Sequence, residues 1–193
     1  MALFSCNVGL SYAANPLKCI SNNTGEIENR FTDNKDGTAT DNYTGLIWRR
    51  CNLTQEWNEA TSSCENFVAK YNWKETLQQI DLFNQDQISK QLDGDWRLPN
   101  IKEQASVLNL QCIYPALDTT IFPDPVPVVW TSTPISFRVT SEEIYDVNDP
   151  TLITGYTDKN LIWIVNTSTA KDSWDTWERE SYGAMLVRGT STR

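Results

Sequence analysis

The fold is decided by the stretch Asp95-Trp96-Arg97-Leu98-Pro99-Asn100-Ile101-Lys102-Glu103. Trp96 and Leu98 alternate with polar neighbours, which is the pattern of a short, half-buried strand. Pro99 ends that strand because proline has no N–H to donate to a neighbouring strand. Asn100 followed by Glu103 is the pattern of a capping box, which predicts a helix from residue 101 onward. The stretch therefore indicates a fixed corner of a compact fold. Both apolar side chains are expected in the core, and the arginine between them in a buried or partly buried polar contact.

A second capped helix is predicted upstream of this corner. Asn72 and Glu75 repeat the capping-box spacing. The apolar residues that follow fall on one helical face, namely Trp73, Leu77, Ile80 and Phe83. This helix is therefore predicted over residues 73 to about 84, and the helix at the corner is predicted to end near residue 109. The polar stretch between the two helices is expected to be a connector that tucks Ile88 and Leu92 inward.

The other periodic segments are predicted to be strands. Residues 30–49 contain two turn signals, including Asp36-Gly37, so they are predicted to form a β-hairpin or meander with Trp48 directed inward. Further strands are predicted at residues 128–132, 161–165 and 184–188. The segment 161–165 is apolar on both faces, which is typical of a central strand.

The order of these elements predicts the fold class. Helices and strands are segregated along the chain, which favours an α+β fold with two helices and a mainly antiparallel, loop-rich sheet. Residues 14–29 are interpreted as an N-terminal arm and residues 30–193 as a single domain. Within that domain, residues 136–159 are expected to be a long exposed insertion and residues 169–181 a polar loop.

The composition excludes several classes of function. The chain has 193 residues, a formal net charge of −9 and no histidine. An acidic chain repels phosphate backbones and anionic membrane surfaces, so neither is expected as a partner. The absence of histidine removes Ser-His-Asp and Cys-His catalysis and histidine-ligated zinc. No cofactor and no metal is predicted, because the acidic residues at 33–41 lack the spacing of a calcium loop and the cysteines form no Cys-x-x-Cys pair.

The N-terminus and the cysteines indicate export. Residues 1–13 are uncharged and mildly apolar, and they end with small residues at the positions that a signal peptidase requires. They are interpreted as the tail of an export signal, the alternative being a plain disordered N-terminus. Its removal takes Cys6 and leaves four cysteines, which are predicted to form the disulfides Cys51–Cys64 and Cys19–Cys112. No other stretch is apolar enough to span a bilayer, so a periplasmic, cell-surface or secreted protein is expected.

Several blocks of the sequence occur in an order that is found in a known family. They are residues 31–38, 41–51, 95–103, 114–118, 122–123, 130–134 and 186–189. Over roughly residues 30–189 the chain resembles the Legionella collagen-like protein (Lcl) C-terminal domain family. The resemblance implies a C-type-lectin-like fold, of the kind also used by formylglycine-generating enzymes, in an exported or surface-displayed domain. It also implies adhesion, because the founding member is an adhesin that binds sulfated polysaccharides.

The chain departs from that family and its fold relatives in four respects. Its strong negative charge does not suit a sulfated ligand, which needs a basic surface. It has no collagen-like Gly-x-y stalk, and it lacks the triplets with which true C-type lectins bind calcium and sugar. No cysteine follows Cys112, whereas formylglycine-generating chemistry uses cysteines late in the domain. The resemblance therefore transfers the fold and the compartment, and no catalytic residue.

The main functional hypothesis is a non-enzymatic binding or adhesion module that uses its late loops. Trp174 and Trp177, with Asp172 and Asp175 beside them, are the predicted ligand-binding residues, because an exposed indole stacks on sugars or fills a protein pocket and carboxylates accept sugar hydroxyls. The predicted partner is a glycan or an envelope or surface protein. The alternative is a purely structural role, in which both tryptophans cover an edge of the sheet.

Two other functions remain open at this stage. The chain is alternatively a structural or assembly component of a pilus-like or envelope complex, which binds a protein partner. The second alternative is a glycan hydrolase in which Asp172 and Asp175, or Glu142 and Glu143, act as general acid and base.

Overall fold

The computed structural model describes residues 18–19, 30–135, 161–176 and 180–189. The predicted export signal, most of the predicted N-terminal arm, the predicted insertion at 136–159 and Trp177 lie outside these residues. Within the described part of the chain, no helix is long and apolar enough to cross a membrane.

The described part of the chain contains two helices and a set of antiparallel sheets, which confirms the predicted α+β class. The helices are α1 (Trp73–Ser89) and α2 (Ile101–Ser106). The strands are β1 (Lys18–Cys19), β2 (Phe31–Asp33), β3 (Thr38–Asp41), β4 (Ile47–Arg49), β5 (Glu56–Asn58), β6 (Ser63–Glu65), β7 (Cys112–Ile113), β8 (Val128–Ile135), β9 (Leu161–Asn166), β10 (Lys171–Thr176) and β11 (Val187–Arg188). They form a four-stranded sheet in the order β11-β4-β3-β2, a three-stranded sheet in the order β10-β9-β8, and the two-stranded ribbons β1-β7 and β5-β6.

The hairpin predicted over residues 30–49 is present as β2, β3 and β4. Trp48 lies opposite Ala39 on the neighbouring strand and is fully buried. Gly37 occupies the turn between β2 and β3 with a φ of +82°. An added Cβ at this glycine would lie 2.7 Å from the Cβ of Trp57. Both the backbone conformation and the space therefore require glycine at this position.

Both predicted helix starts are confirmed, whereas both helix ends differ from prediction. Asn72 and Asn100 each accept a hydrogen bond from the backbone of the glutamate three residues later, and each glutamate bonds back to its asparagine. The second helix ends at Ser106 because a hydrogen bond from Leu108 N to Ala105 O tightens its last turn.

The connector predicted between the helices is wrong. Helix α1 continues through this polar stretch to Ser89, since no glycine or proline interrupts it, and Lys90 pairs with Asp86 four residues earlier. Ile88 and Leu92, which were expected to point inward, are 62% and 57% exposed.

The corner at residues 95–103 has the predicted side-chain arrangement. Trp96 and Leu98 are buried, and Arg97 donates to both carboxylate oxygens of Glu103 at 2.8 and 2.9 Å and to the carbonyl of Gly189 at 2.9 Å. The predicted strand is reduced to a single antiparallel bridge between Arg97 and Val187. Burial raises the pKa of Glu103, but hydrogen bonds from Arg97 and from the Asn100 N–H outweigh it and hold the pKa below its ordinary value.

The three-stranded sheet corrects one prediction and confirms another. Strand β9 is central, as its apolar pattern predicted. The predicted polar loop at 169–181 is wrong, because Lys171–Thr176 forms β10 and pairs with β9 over its full length. Apart from Trp174, its side chains are polar on both faces and show no apolar periodicity. The strand is held by backbone pairing to its apolar neighbour β9. Strand β8 extends beyond its predicted end to Ile135, and of the predicted last strand only Val187–Arg188 is paired.

The core lies on both faces of the β8-β9 pair. One cluster of buried side chains includes Trp48, Val129 and Val165, and the other includes Trp96 and Trp130. Neighbouring residues of a strand point to opposite faces, so Val129 packs in the first cluster and Trp130 packs in the second.

The cysteines form cross-links in the described chain. Cys51 and Cys64 form the predicted disulfide, which links the segment that follows β4 to strand β6. Cys112 is disulfide-bonded as well, and the register of β1 and β7 places Cys19 directly opposite it.

Candidate functional site

Three of the four predicted ligand-binding residues, Asp172, Trp174 and Asp175, lie on strand β10 rather than on a loop, and the fourth, Trp177, is outside the described residues. Trp174 is 41% exposed and lies opposite Trp163 of β9, and Asp172 is also exposed. Since alternate residues of a strand share a face, Asp172 and Trp174 lie together on one face of β10 and Asp175 lies on the other. The structure therefore brings together two of the predicted residues, and separates Asp175 from them.

Asp175 has a partner of its own on its face. The hydroxyl of Tyr182 donates to Oδ2 of Asp175 at 2.6 Å, and the Tyr182 ring packs edge-on against Trp130 with the centroids 4.9 Å apart. Burial and the hydrogen bond to Asp175 together raise the pKa of Tyr182 above its ordinary value. This contact ties the outer strand of the sheet to the buried Trp130.

A second candidate site, which the sequence did not predict, is a groove of about 990 Å³ at the turn between β9 and β10. Its apolar wall consists of Val68, Tyr114, Val126 and the prolines at 115, 123, 125 and 127. Its polar rim consists of Gln55, Lys70, Thr119, Asp124, Asn166, Ser168 and Thr169. These residues together are called the proline groove below. Its volume lies at the upper end of the range of about 300–1,000 Å³ that is typical of ligand pockets.

Thr167 holds the walls of the proline groove in place. Its N–H donates to the carbonyl of Pro127 at 2.9 Å, and its carbonyl accepts from Ala116 N at 2.7 Å. Its hydroxyl donates to the carbonyl of Val126. Next to it, Tyr114 N donates to the carbonyl of Ser168 at 2.7 Å. Thr167 is fully buried, so one residue of the β9-β10 turn joins both proline-containing segments.

Tyr114 is the aromatic residue of the proline groove, and its backbone is strained. Its φ is +58°, a conformation that L side chains other than asparagine and aspartate rarely adopt. The side chain is 39% exposed, and its hydroxyl forms no hydrogen bond with any described residue. Strained backbone of this kind is held by the surrounding contacts and is enriched at functional sites.

The rim of the proline groove presents polar groups that the rest of the described chain leaves unpaired. Oδ1 of Asn166 accepts from the N–H groups of Ser168 and Thr169, both at 3.0 Å. No described residue bonds the amide N–H groups of Asn166, the hydroxyls of Ser168 and Thr169, or the ammonium group of Lys70. Unpaired donors and acceptors beside an apolar wall are the usual composition of a binding site.

A smaller cleft of about 310 Å³ lies between α1, β5 and the turn before β3. It differs from the proline groove because most of its charged groups have partners within the protein. The Arg49 guanidinium lies in it, donates to the carbonyls of Asn52, Leu53 and Gln55 at 3.0, 3.2 and 2.7 Å, and stacks on Phe83. Burial lowers the pKa of Arg49 to about 10. Two of the three carboxylates that line the cleft are also engaged within the protein: Asp36 accepts from Thr38, and Asp86 pairs with Lys90. Because every charged side chain of this cleft except Glu56 is engaged within the protein, we assign the cleft to the scaffold.

Neither candidate site has the donor set of a metal centre. Among the described residues, no group of three or more His, Cys, Asp or Glu side chains is arranged to hold a metal ion. Asp124 is the one carboxylate among the residues of the proline groove.

The proline groove was missed because its walls meet only in three dimensions. Sequence patterns correctly indicate irregular structure around the prolines. They do not indicate that Thr167, more than 40 residues away, closes this segment. One feature of the sequence does indicate the groove: an aromatic residue, Tyr114, precedes several prolines, and such residues together form a rigid apolar surface.

Comparison with known proteins identifies one matching family. The family model described as the Lcl C-terminal domain matches residues 37–188. No curated protein and no solved structure matches the chain. The matched range includes the proline groove, strand β10 and the corner at 95–103.

Proposed function

Because this chain belongs to the Lcl C-terminal domain family, we propose that it is an exported, non-enzymatic binding or adhesion module of a bacterial envelope or surface. The family is associated with the Legionella surface, which supports a setting outside the cytoplasm. We also propose that the scaffold is C-type-lectin-like, with its ligand bound at one end of the β8-β9-β10 sheet. The ligand class is carbohydrate or protein.

The observation that carries this proposal is the proline groove, with its apolar wall and unpaired rim. Strand β10 continues from the same turn, and Asp172 and Trp174 on its exposed face form a second candidate surface. The separation of Asp172 and Asp175 onto opposite faces of β10 supports a binding role over hydrolysis. General acid and base catalysis requires the two carboxyl groups to flank one glycosidic bond.

The cross-links support export. The disulfide Cys51–Cys64 and the disulfide at Cys112 are of a kind that persists in oxidising compartments and is rare in the cytoplasm. Intact-mass measurement of protein isolated from the envelope is expected to show both bridges, and free thiols at all of these positions would contradict export.

The test is a ligand screen of the mature, oxidised protein against a glycan array and an envelope extract. Two variants are screened beside the wild type. Thr119→Trp places a large side chain in the proline groove, at an exposed residue whose hydroxyl has no partner in the described chain. Trp174→Ala removes the indole from β10. A ligand that is bound by the wild type and lost in Thr119→Trp supports the groove, whereas wild-type binding in both variants would refute both surfaces.

A structural or assembly role is the second candidate, and the exposed apolar side chains favour it. Phe67 is 83% exposed and Leu110 is 74% exposed, so both side chains present apolar surface to a partner. If these residues contact a protein of an envelope complex, Phe67→Ser and Leu110→Ser will abolish pull-down of that protein and leave glycan binding unchanged.

A further inference from the structure

We propose that the proline groove binds a neutral oligosaccharide, with the Tyr114 ring as the surface on which one sugar residue stacks. This rests on the proposed binding function and narrows it to one ligand class. Three properties of the groove favour this class over polyanions and peptides: its charge, its free hydrogen-bonding side chains, and a backbone whose N–H groups are already bonded or absent.

The charge of the proline groove favours a neutral ligand. Its residues include one cation, Lys70, and one carboxylate, Asp124. The whole chain carries a formal charge of −9, which raises the energy of any polyanion that approaches it. A polycation needs several carboxylates, and Asp124 is alone here. A neutral ligand meets no electrostatic barrier.

The free groups of the rim match sugar hydroxyls. Each sugar hydroxyl donates one hydrogen bond and accepts others, so it needs donors and acceptors within a short distance. The amide of Asn166 and the ammonium group of Lys70 donate, the hydroxyls of Ser168 and Thr169 do both, and Asp124 accepts. Asp124 uses only Oδ2 within the described chain, in a long 3.3 Å bond from Cys64 N. The apolar face of a sugar ring is in turn suited to stacking on the exposed Tyr114 ring.

The backbone of the groove is unsuited to an extended peptide. Peptides that bind in extended form are held by a row of main-chain hydrogen bonds. In the proline groove, Tyr114 N and Ala116 N already donate to Ser168 and Thr167, and the prolines have no N–H. Grooves for proline-rich peptides are instead lined by aromatic residues, and here the prolines belong to the wall and Tyr114 is the one aromatic residue among the lining residues. A ligand of the proline groove is therefore recognised by the side chains of the groove and not by its backbone.

Calorimetric titration of the oxidised full chain tests the proposal. The probes are cellohexaose, chitohexaose and mannohexaose, with a heparin hexasaccharide and a proline-rich decapeptide as comparisons. At least one neutral hexasaccharide is expected to bind more tightly than both comparison probes. The variant Tyr114→Asn removes the ring and keeps a residue that tolerates φ of +58°. It is expected to weaken binding about fivefold to tenfold.

Two further variants separate recognition from folding. Ser168→Ala removes one free hydroxyl without touching the backbone bond from Tyr114, and it is expected to weaken binding about threefold to tenfold. Tyr43→Ala is the matched control, because Tyr43 is exposed to a similar degree, 42%, in the turn between β3 and β4. Its affinity is expected to equal that of the wild type.

The outcomes distinguish this inference from the proposed function. If an envelope protein is captured through the groove and none of the neutral hexasaccharides binds, the saccharide inference fails and the binding function stands. If the heparin hexasaccharide binds most tightly, or if Tyr114→Asn and Ser168→Ala both bind like the wild type, the inference also fails. If neither saccharide nor protein binding responds to Thr119→Trp or to Trp174→Ala, both proposals fail.

Discussion

Replacement of Thr167 by valine tests whether one buried hydroxyl holds the proline groove together. Thr167→Val keeps the shape of the side chain and both backbone hydrogen bonds, and removes only the hydroxyl that donates to the carbonyl of Val126. Both residues are buried, at 0% and 6% exposure, so water does not replace the lost donor. A buried carbonyl left without a donor costs about 1–3 kcal/mol. For a domain of this size, a loss of about 2 kcal/mol lowers the melting temperature by roughly 4–8 °C.

Urea unfolding of Thr167→Val beside Thr169→Val measures this cost. Thr169 undergoes the same chemical change two residues away, in the same turn, but its hydroxyl has no partner in the described chain. Thr169→Val is expected to change the free energy of unfolding by less than about 0.5 kcal/mol. Equal slopes of free energy against urea concentration will show that only stability has changed. The reasoning is refuted if the two variants are equally stable.

Three further predictions concern the scaffold. Glu103→Gln is expected to lower the free energy of unfolding by about 1–2 kcal/mol at pH 7. The loss stays within this range because Arg97, its partner, is partly exposed. The folded pKa of Glu103 lies below its ordinary value of 4.5, so its contribution is present above pH 4.5 and is lost as the pH falls through the folded pKa. Urea unfolding at pH 7 and pH 3 will therefore show a smaller difference between variant and wild type at pH 3, and an unchanged difference would contradict the ion pair. Gly37→Ala is expected to lower the free energy of unfolding by about 1–3 kcal/mol or more, which thermal unfolding measures. Gly189→Ala is the control, because φ at Gly189 is also positive but the atom nearest to an added Cβ is 4.0 Å away. Cys51→Ser/Cys64→Ser is expected to cost about 2–4 kcal/mol in the same assay, and an unchanged melting temperature would contradict a stabilising role for that bridge.

The elements that were predictable from sequence are those whose contacts are local. Asn72 and Asn100 cap their helices through glutamates three residues away, so each motif contains its own partners. The turn at Gly37 brings β3 back along β2 within a few residues and places Trp48 in the core through the next strand. The disulfide Cys51–Cys64 also spans only 13 residues.

Predictions failed where the pattern of side chains in a segment does not indicate its backbone structure. Strand β10 was expected to be a loop because its own side chains, Lys171 to Thr176, show no apolar period. It is a strand because β9 offers a full row of backbone partners. Ile88 was expected to be buried because it is apolar, but it lies on the solvent side of a helix that continues further than its pattern of apolar residues indicates.

The sequence alone therefore determined the helix caps, the first hairpin, the corner at residues 95–103 and the choice of partner for Cys51, since short-range hydrogen bonds and turns define them. Only the tertiary structure decided the position of the candidate binding groove. The proline groove exists because Thr167 reaches Val126 and Pro127, some 40 residues earlier, and because Tyr114 is held against Ser168 in a conformation that its own chemistry disfavours. No local pattern specifies such contacts, since each depends on the packed sheet that brings the two segments together.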